Sequence, residues 1–436
     1  MSLLRKAIVV NGAEYICLAL GIIQSVLLRR ILGPTGIGQY AVLWSSLMVA
    51  FQISSFGLPV SLLFNCKNDA KHVHQYVTTA VLLIMVLGIL GGGALCTTVV
   101  LFPGYFGQVR WYVLALMFVY VPLVLERTAM RNVLMIEIRA FKLGIMRVSC
   151  ACLTILLIMV FYLFGALEPG HAIICFVFGA SLGFFLGYGW SGEYINFTAR
   201  PTVATAKRLL FSGLKLNLVD LMVIVRSQFS IFLVKFLFDD FSNVGYFSTG
   251  QRITVLVIIS GQAVLPLLFS TWANFPREHL ARHVEKVLRF ASTISISFIL
   301  VTLLVLKWAI VFLYGEEFLP AVPLAMLLIP GTLIYMLSNI LMQLLSSRGF
   351  PCLSATMLLV SIIINAIASW LLIPSMGIIG AAIGFLIGDI FLFLLVGAVA
   401  KIKYKLRLAH CFILRKQDVR QIAVFFAARK TNVPEP

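Results

Sequence analysis

Charged side chains inside long apolar segments are the residues of this chain that could do chemistry. Hydrophobic residues make up 61% of the 436 residues and charged residues only 11%. A cation at the centre of a membrane helix costs about 2.5–3.5 kcal/mol when it faces lipid, so six cost on the order of 15–20 kcal/mol. Such cations must therefore snorkel to the membrane surface, pair with acids or face a water-filled cleft. The six are Arg127, Arg131, Arg226, Lys235, Arg252 and Lys307.

The arginines favour a phosphate-bearing ligand, because a guanidinium group binds phosphate oxygens through paired N–H donors. Arg226 and Arg252 lie deepest in their segments and are predicted to bind substrate in a cleft. Lys307 is a further substrate-binding candidate, although it lies closer to a segment end, where snorkelling explains a lysine equally well. The same alternative applies to the other three cations, which also lie near segment ends.

Four carboxylates also lie in apolar segments. A desolvated carboxylate takes up a proton more readily than an exposed one, so such a group can couple proton uptake to a change in exposure. Glu14, Asp220 and Asp389 are the candidates for this role. The alternative is structural: Glu126 pairs with a neighbouring arginine, and Asp389 bridges two helices through hydrogen bonds.

Motifs for covalent, metal or nucleotide chemistry were not found. The chain has no GxxxxGK[ST] loop to bind nucleotide phosphates. His279 and His283 have the spacing of a zinc protease pair, but Leu280 stands where glutamate is needed. We interpret them as solvated histidines in an inner loop, 271–289, and Cys150 and Cys152 as packing residues. No cofactor and no metal site are expected.

Membrane-spanning helices are the elements that must position these charges. A span needs about 20 apolar residues to cross roughly 30 Å of hydrocarbon, and continuously apolar runs predict helices rather than barrel strands. The fold class is therefore all-α transmembrane. Twelve spans are predicted, at 8–28, 38–62, 76–101, 111–131, 146–164, 172–189, 212–236, 244–269, 291–314, 323–345, 354–373 and 381–399.

The distribution of lysine and arginine predicts that both termini are cytoplasmic. With that orientation, 25 of the 34 Lys and Arg residues fall on inner segments and only three on outer ones, as the positive-inside rule requires. The net charge of +18 therefore belongs to the inner membrane face, and no nucleic-acid partner is expected. The basic tail, 400–436, is predicted to lie on anionic membrane lipids.

The spans are predicted to form two six-helix bundles around a central cleft. The bundles comprise 1–189 and 212–399, joined by a cytoplasmic linker, 190–211, and followed by the amphipathic tail. Gly38 and Gly245 stand in matching positions of the two halves, which indicates a duplicated unit of the kind found in secondary transporters. Glycines at small-xxx-small spacing lie in spans six and twelve and allow close helix packing. They are Gly179, Gly183 and Gly187, and Gly380, Gly384 and Gly388.

Several ordered motifs resemble one transporter family. Residues 30–40 carry Arg-Ile-Leu-Gly-Pro followed by Gly38 and Tyr40, and 244–246 read Val-Gly-Tyr. Further matches lie at 313–321, at 347–349 and Asn365, and at 376–382. Over about residues 1–400 the chain resembles the polysaccharide (O-antigen) flippase branch of the multidrug/oligosaccharidyl-lipid/polysaccharide exporter superfamily.

The resemblance implies a multi-pass protein of the bacterial inner membrane, not an enzyme. It implies translocation of an undecaprenyl-diphosphate-linked oligosaccharide to the outer leaflet by alternating access of the two bundles, for surface polysaccharide biosynthesis. Arg29 and Arg30, at the outer end of span one, are expected at the outer gate and in substrate binding. A proton or sodium ion is an optional coupling partner, and the polysaccharide polymerase and glycosyltransferases are expected protein partners.

Two other function classes stay open at this point. A multidrug/cation antiporter of the same superfamily should have a cleft rich in acids, whereas here the intramembrane cations outnumber the acids. A membrane glycosyltransferase or polymerase should have a large outer loop with catalytic side chains, whereas the outer connections predicted here are short.

Overall fold

The computed structural model describes residues 3–137, 139–165, 167–195, 201–262, 272 and 275–407. The helices in these ranges are α1 Leu3–Ser55, α2 Leu58–Asn68, α3 Val73–Leu101, α4 Pro103–Phe106, α5 Trp111–Ile136, α6 Ala140–Leu163, α7 Pro169–Ser191, α8 Val203–Leu237, α9 Phe241–Gln262, α10 Arg277–Tyr314, α11 Ala321–Ser347, α12 Pro351–Met376 and α13 Ile378–Tyr404. The described part of the chain is thus built from helices, as predicted. The tail beyond 407 lies outside the described residues.

The described helices account for the predicted spans. Within the part of the chain that the structure describes, ten helical stretches are long and apolar enough to cross a membrane. The first of them, Gly12–Asn68, contains most of the first predicted span and all of the second. Of the predicted eighth span, 244–269, the structure describes only the part within α9. The remaining predicted spans each coincide with one stretch. These observations confirm a polytopic α-helical protein. The orientation of the termini stays a prediction.

A sharp bend divides α1 into two arms at the Gly33-Pro34 step. Gly33 has a φ of 65°, a left-handed value that glycine adopts without steric cost. Proline cannot donate the next helical hydrogen bond. The Gly33-Pro34 step belongs to the family-like motif at residues 30–40. Its structural role is to bend the chain between the first two predicted membrane spans.

Gly38 and Gly245 lie at a close and reciprocal contact between α1 and α9. A Cβ atom on Gly38 would overlap the carbonyl oxygen of Phe241, and a Cβ atom on Gly245 would overlap the carbonyl oxygen of Pro34. Each glycine thus makes room for the backbone near its counterpart. Such reciprocity is what a two-fold relation between repeated units would give, and the predicted duplication stays a hypothesis.

The glycines of α7 and α13 also lie where helices approach closely. In α7, a Cβ on Gly183 would meet Arg127 of α5 and Cys150 of α6. In α13, a Cβ on Gly384 would meet Ser369 of α12. The small-xxx-small patterns therefore mark real packing faces.

Two predicted loops are helical instead. The N-terminus of α8 lies at Val203, inside the predicted linker, because the side chain of Thr202 accepts a hydrogen bond from the Thr205 N–H at 3.2 Å and caps the helix. The N-terminus of α10 lies at Arg277, so His279 and His283 are on a helix and not in a loop. Residues Leu280, Val284 and Leu288 are buried at helical spacing along it.

The chain divides into two compact units. The first comprises 1–249 and 310–321, and the second comprises 250–309 and 322–436. The first unit contains α1 to α8 together with the start of α9 and the end of α10. In the second unit, α12 packs along α13. The predicted division into 1–189 and 212–399 around a linker stays a hypothesis, and the cavities described below lie within the first unit.

Candidate functional site

A cavity of about 840 Å³ with charged residues in its wall lies within the first unit. Its walls come from both arms of α1 and from α2, α5, α6, α7 and α8, and the first arm of α1 contributes Glu14, Cys17, Leu18 and Gln24. This volume is typical of a pocket for a small-molecule ligand. Both charged and aromatic residues line the wall.

Three arginines form the cationic part of the cavity. Arg127 and Arg131 are one helical turn apart on α5 and share a face. Arg147 projects from α6 into the same space, and both other guanidinium groups lie close enough to repel the charge of Arg131. The Nε atom of Arg131 is buried without a hydrogen-bond partner. Three clustered cations with an unused donor favour an anionic ligand.

Two of the predicted carboxylates line the same cavity. Glu14 forms an ion pair with Arg147, and Asp220 lines the cavity from α8. Two of the three coupling candidates therefore line the cavity that the arginines line, and Glu14 contacts one of these arginines. The lining contains three arginines against two acids, so its formal charge is positive. Among the described residues, no group of three or more His, Cys, Asp or Glu side chains could hold a metal ion.

An aromatic wall stands beside the arginines. The rings of Trp44 and Phe176 lie 4.5 Å apart between centroids, and Tyr120 packs on Trp44 at 6.0 Å. All three residues line the cavity. Packed rings of this kind provide a rigid apolar surface.

Hydrogen bonds between α1 and α8 close one side of the cavity, and we call this contact the α1–α8 seam. Ser45 Oγ donates to Gln228 Oε1 at 2.7 Å, and Gln52 Nε2 donates to Asn217 Oδ1 at 2.9 Å. Near its end, a Cβ on Gly213 would meet the backbone at Gly57. These polar bonds, each of modest net strength, help to hold the seam together.

Arg29 and Arg30 are engaged elsewhere in the first unit. Arg29 is buried, donates to Thr249 Oγ1 at 3.1 Å and lies over the ring of Tyr314. Arg30 Nε donates to the carbonyl oxygen of Leu313 at 2.9 Å, and its Nη2 donates to that of Phe312. These carbonyls belong to the last turn of α10, where cations are favourable. Both predicted roles of this pair, at the outer gate and in substrate binding, stay predictions.

Replacing Arg30 by alanine tests whether its role is structural. We expect Arg30→Ala to lower the stability of the folded protein by about 1–2 kcal/mol, because two charge-assisted hydrogen bonds to α10 are lost. Thermal unfolding in detergent measures this effect, and Lys207→Ala on exposed α8 surface is the control. Weaker diphosphate binding with unchanged unfolding temperature would instead make Arg30 a substrate ligand.

The other predicted ligands do not line this cavity. Arg226 is buried on α8, whereas Arg252, Lys307 and Asp389 belong to the second unit. Arg252 is half-buried, and Asp389 is fully buried beside Gly331. Their predicted roles stay hypotheses.

Two lysines have surroundings that explain them without a ligand. Lys307 is exposed between Leu304 and Trp308, which are 80% and 77% exposed, as expected for a lysine that snorkels from an apolar face. Lys235 Nζ donates to the carbonyl oxygen of Asp239 at 2.5 Å and lies over the ring of Phe241. Lys235 therefore stabilises the C-terminal end of α8 through these two contacts.

Glu126 is bound by a tyrosine and not by an arginine. The Tyr188 hydroxyl donates to its Oε2 at 3.2 Å, and its Oε1 has no hydrogen-bond partner. The expectation of an arginine pair is wrong, because the neighbouring Arg127 lies on the adjacent helix position and turns into the cavity.

Arg147 is the site residue that sequence analysis missed, because it was counted with the basic inner segments. Its position near the start of a predicted span did not show that its side chain points into a cavity. A helical projection gives a usable signal, since Arg147, Cys150 and Thr154 recur at helical spacing on one face of α6, and all three line the cavity.

The fold is similar to those of two solved structures. The structure resembles an inward-facing multidrug resistance MATE family transporter of the MOP superfamily, with a TM-score of 0.76 and 14% identity, covering 88% of this chain and 94% of that one. It also resembles the lipid II flippase MurJ in an inward closed conformation, with a TM-score of 0.71 and 17% identity, covering 98% and 94%. At these identities the likeness shows the fold alone.

The family follows from the sequence comparison. Residues 3–272, well over half of the chain, match the family described as polysaccharide biosynthesis protein, and the chain belongs to that family. This match confirms the family that the motifs predicted. A stretch of 146 residues is 26% identical to the probable low-salt glycan biosynthesis flippase Agl15 of Haloferax volcanii, covering 33% of this chain. The chain spans only 31% of the length of that relative.

Proposed function

We propose that this protein is a flippase that moves a lipid-linked oligosaccharide across a membrane. The observation that carries the proposal is the cluster of Arg127, Arg131 and Arg147 in a cavity large enough for a ligand. Guanidinium groups in a partly desolvated site bind diphosphate oxygens through several charge-assisted hydrogen bonds. Membership of a polysaccharide biosynthesis family and similarity to a probable glycan biosynthesis flippase support the same class of substrate.

The aromatic wall suits the sugar part of such a substrate. Trp44, Tyr120 and Phe176 provide flat surfaces on which the apolar C–H faces of sugar rings can pack. Gln52 and Asn217 also line the cavity, where their amides bond to each other across the α1–α8 seam. Opening of the seam would free these amides to donate to and accept from sugar hydroxyls. The diphosphate would thus lie at the arginines, with the first sugars against the rings.

The finer features of the proposal come from the sequence motifs. The carrier is undecaprenyl diphosphate, the pathway is surface polysaccharide synthesis such as O-antigen, and the membrane is the bacterial inner membrane. Transport proceeds by alternating access of two six-helix bundles whose termini are cytoplasmic. A negative inside potential of roughly 100 mV favours outward movement of two negative charges by about 4–5 kcal/mol, so coupling to a proton or sodium ion through Glu14 or Asp220 is optional.

The multidrug or cation antiporter is the second candidate. Glu14 and Asp220 both line the cavity, and carboxylates are the groups that an organic cation would need. The three arginines oppose this function, because like charges repel a cationic substrate and Arg147 already occupies Glu14. We therefore rank the lipid-linked anion above an organic cation, and transport above glycosyl transfer.

Reconstitution of the full chain in vesicles tests the proposal. We expect the protein to expose a polyprenyl-diphosphate-linked oligosaccharide to an added glycosidase on the opposite leaflet, and an outward-positive potential to increase the rate. Vesicles without protein are the control. No flipping of any diphosphate-linked glycan, together with extrusion of an organic cation dye, would contradict the flippase and favour the antiporter.

A further inference from the structure

A second cavity of the first unit has walls of a different chemistry. It has a volume of about 550 Å³ and lies between the second arm of α1 and helices α3, α4 and α8. Four phenylalanines line it, together with aliphatic residues and small residues such as Ala50 and Ala94. The phenylalanines are Phe102, Phe106, Phe232 and Phe236. We call it the apolar pocket.

The hydroxyl groups of the apolar pocket are mostly bound to the protein itself. Ser46 Oγ donates to the carbonyl oxygen of Val42 at 2.9 Å, and Thr98 Oγ1 donates to that of Ala94 at 2.8 Å. The Tyr105 hydroxyl donates to the carbonyl oxygen of Phe232 at 2.6 Å and ties α4 to α8. With these donors occupied, the wall is poorly suited to a phosphate or a sugar and well suited to hydrocarbon.

The apolar pocket opens to the exterior through apolar side chains. Ile53, Phe102 and Phe236 are 53%, 59% and 65% exposed, and all three belong to the lining. A hydrocarbon chain can therefore enter from a lipid environment without crossing a polar rim.

The apolar pocket and the cationic cavity share one helical arm. Residues 44–55 of α1 line both: Trp44, Met48 and Phe51 face the cationic cavity, whereas Val49 and Ile53 face the apolar pocket. Helix α8 also lines both spaces. Val223 and Ile224 line the cationic cavity, and Phe232 and Phe236 line the apolar pocket. The α1–α8 seam separates them, so an amphiphile could hold its head in one and its chain in the other.

We propose that the apolar pocket holds part of the hydrocarbon chain of the lipid-linked substrate while its diphosphate lies among the arginines. This inference rests on the proposed function and adds a binding site for the lipid part. The two spaces lie next to each other along the same two helices, α1 and α8, and this favours the substrate's own chain as occupant over an unrelated phospholipid. The chain then contributes binding free energy in proportion to the apolar area it buries.

A filled pocket provides the test. In Ala94→Phe, the added phenyl ring occupies space that the hydrocarbon chain of the lipid would use. The control, Ala115→Phe, adds the same ring at an exposed position of α5 outside the pocket. Native mass spectrometry of the full purified chain measures binding of undecaprenyl diphosphate and of isopentenyl diphosphate. We expect Ala94→Phe to lower the ratio of long-chain to short-chain affinity about tenfold and Ala115→Phe to leave it unchanged.

The outcomes separate this proposal from the flippase itself. An unchanged ratio in Ala94→Phe overturns the pocket proposal and leaves the headgroup site intact, whereas failure of the unmodified protein to bind either diphosphate overturns both. A third outcome is that Ala94→Phe loses co-purified phospholipid while the ratio of long-chain to short-chain affinity is unchanged. That result would assign the pocket to ordinary membrane lipid and would also overturn the proposal.

A measurement on the unmodified protein guards against misfolding of the variant. Undecaprenyl diphosphate with a photoreactive diazirine in its chain should label peptides that contain residues 91–106 or 232–236. Labelling confined to other exposed surfaces overturns the proposal.

Discussion

Arg131→Gln is expected to reduce flipping about 10- to 100-fold while the protein still folds. The substitution keeps the approximate shape of the side chain and removes a charge-assisted phosphate contact, which is worth about 1.5–3 kcal/mol. It also removes charge repulsion with Arg127 and Arg147, so the folded state should not be destabilised. The measurement is the initial rate of glycosidase access to a lipid-linked oligosaccharide in vesicles.

The matched control for this prediction is Arg110→Gln. Arg110 is 60% exposed and pairs with Glu168 away from the cavity, and exposed pairs of this kind contribute about 0–1 kcal/mol. Its flipping rate should stay close to that of the unmodified protein. The flipping rate of Arg131→Lys should lie between those of Arg131→Gln and Arg110→Gln, because an ammonium group keeps the charge but lacks the paired donors. Normal flipping by Arg131→Gln would remove the diphosphate from this site.

Gly38→Ala should destabilise the protein by at least about 3 kcal/mol, the upper range for overpacking. The new Cβ would overlap the backbone carbonyl of Phe241, and backbone cannot move aside as a flexible side chain can. Unfolding temperature and yield of monodisperse protein measure the effect. Gly245→Ala should behave alike, and the double variant should lose less than the sum, since both side chains disturb one contact.

Gly189→Ala is the control, and its expected effect on stability is opposite to that of Gly38→Ala. Gly189 lies in α7 with nothing near enough to meet a Cβ, so alanine should be neutral or raise stability by up to about 1 kcal/mol through helix propensity. Equal stability of Gly38→Ala and Gly189→Ala would mean that the turn of α1 is not packed on α9 as described.

Sequence patterns predicted the helical class, the spans and the packing glycines well. A long continuous apolar run can hardly form anything except a membrane helix, and regularly spaced small residues indicate a close helix contact. Helix boundaries at polar ends were less predictable. Val203 and Arg277 begin helices because a threonine cap and a buried aliphatic stripe outweigh local polarity.

The candidate site was predicted only in part. Glu14 and Asp220 were predicted as coupling residues, and both line the cavity. Arg127 and Arg131 also line it, although snorkelling was an equal alternative for these two residues. Depth along a helix can be estimated from sequence, but the direction in which a side chain points depends on which helices pack against it. For that reason Arg147 was missed and Lys307 was included.

The contact of Gly38 with α9 has a mechanical consequence for the second arm of α1. If that contact acts as a fulcrum, the arm is a lever that runs from Gly38 past Ser45 to Gln52, about 21 Å along the helix axis. A tilt of roughly 10° would then displace Gln52 by about 4 Å but Ser45 by only about 2 Å. The Gln52–Asn217 bond would break before the Ser45–Gln228 bond, so the gap would widen with distance from the fulcrum.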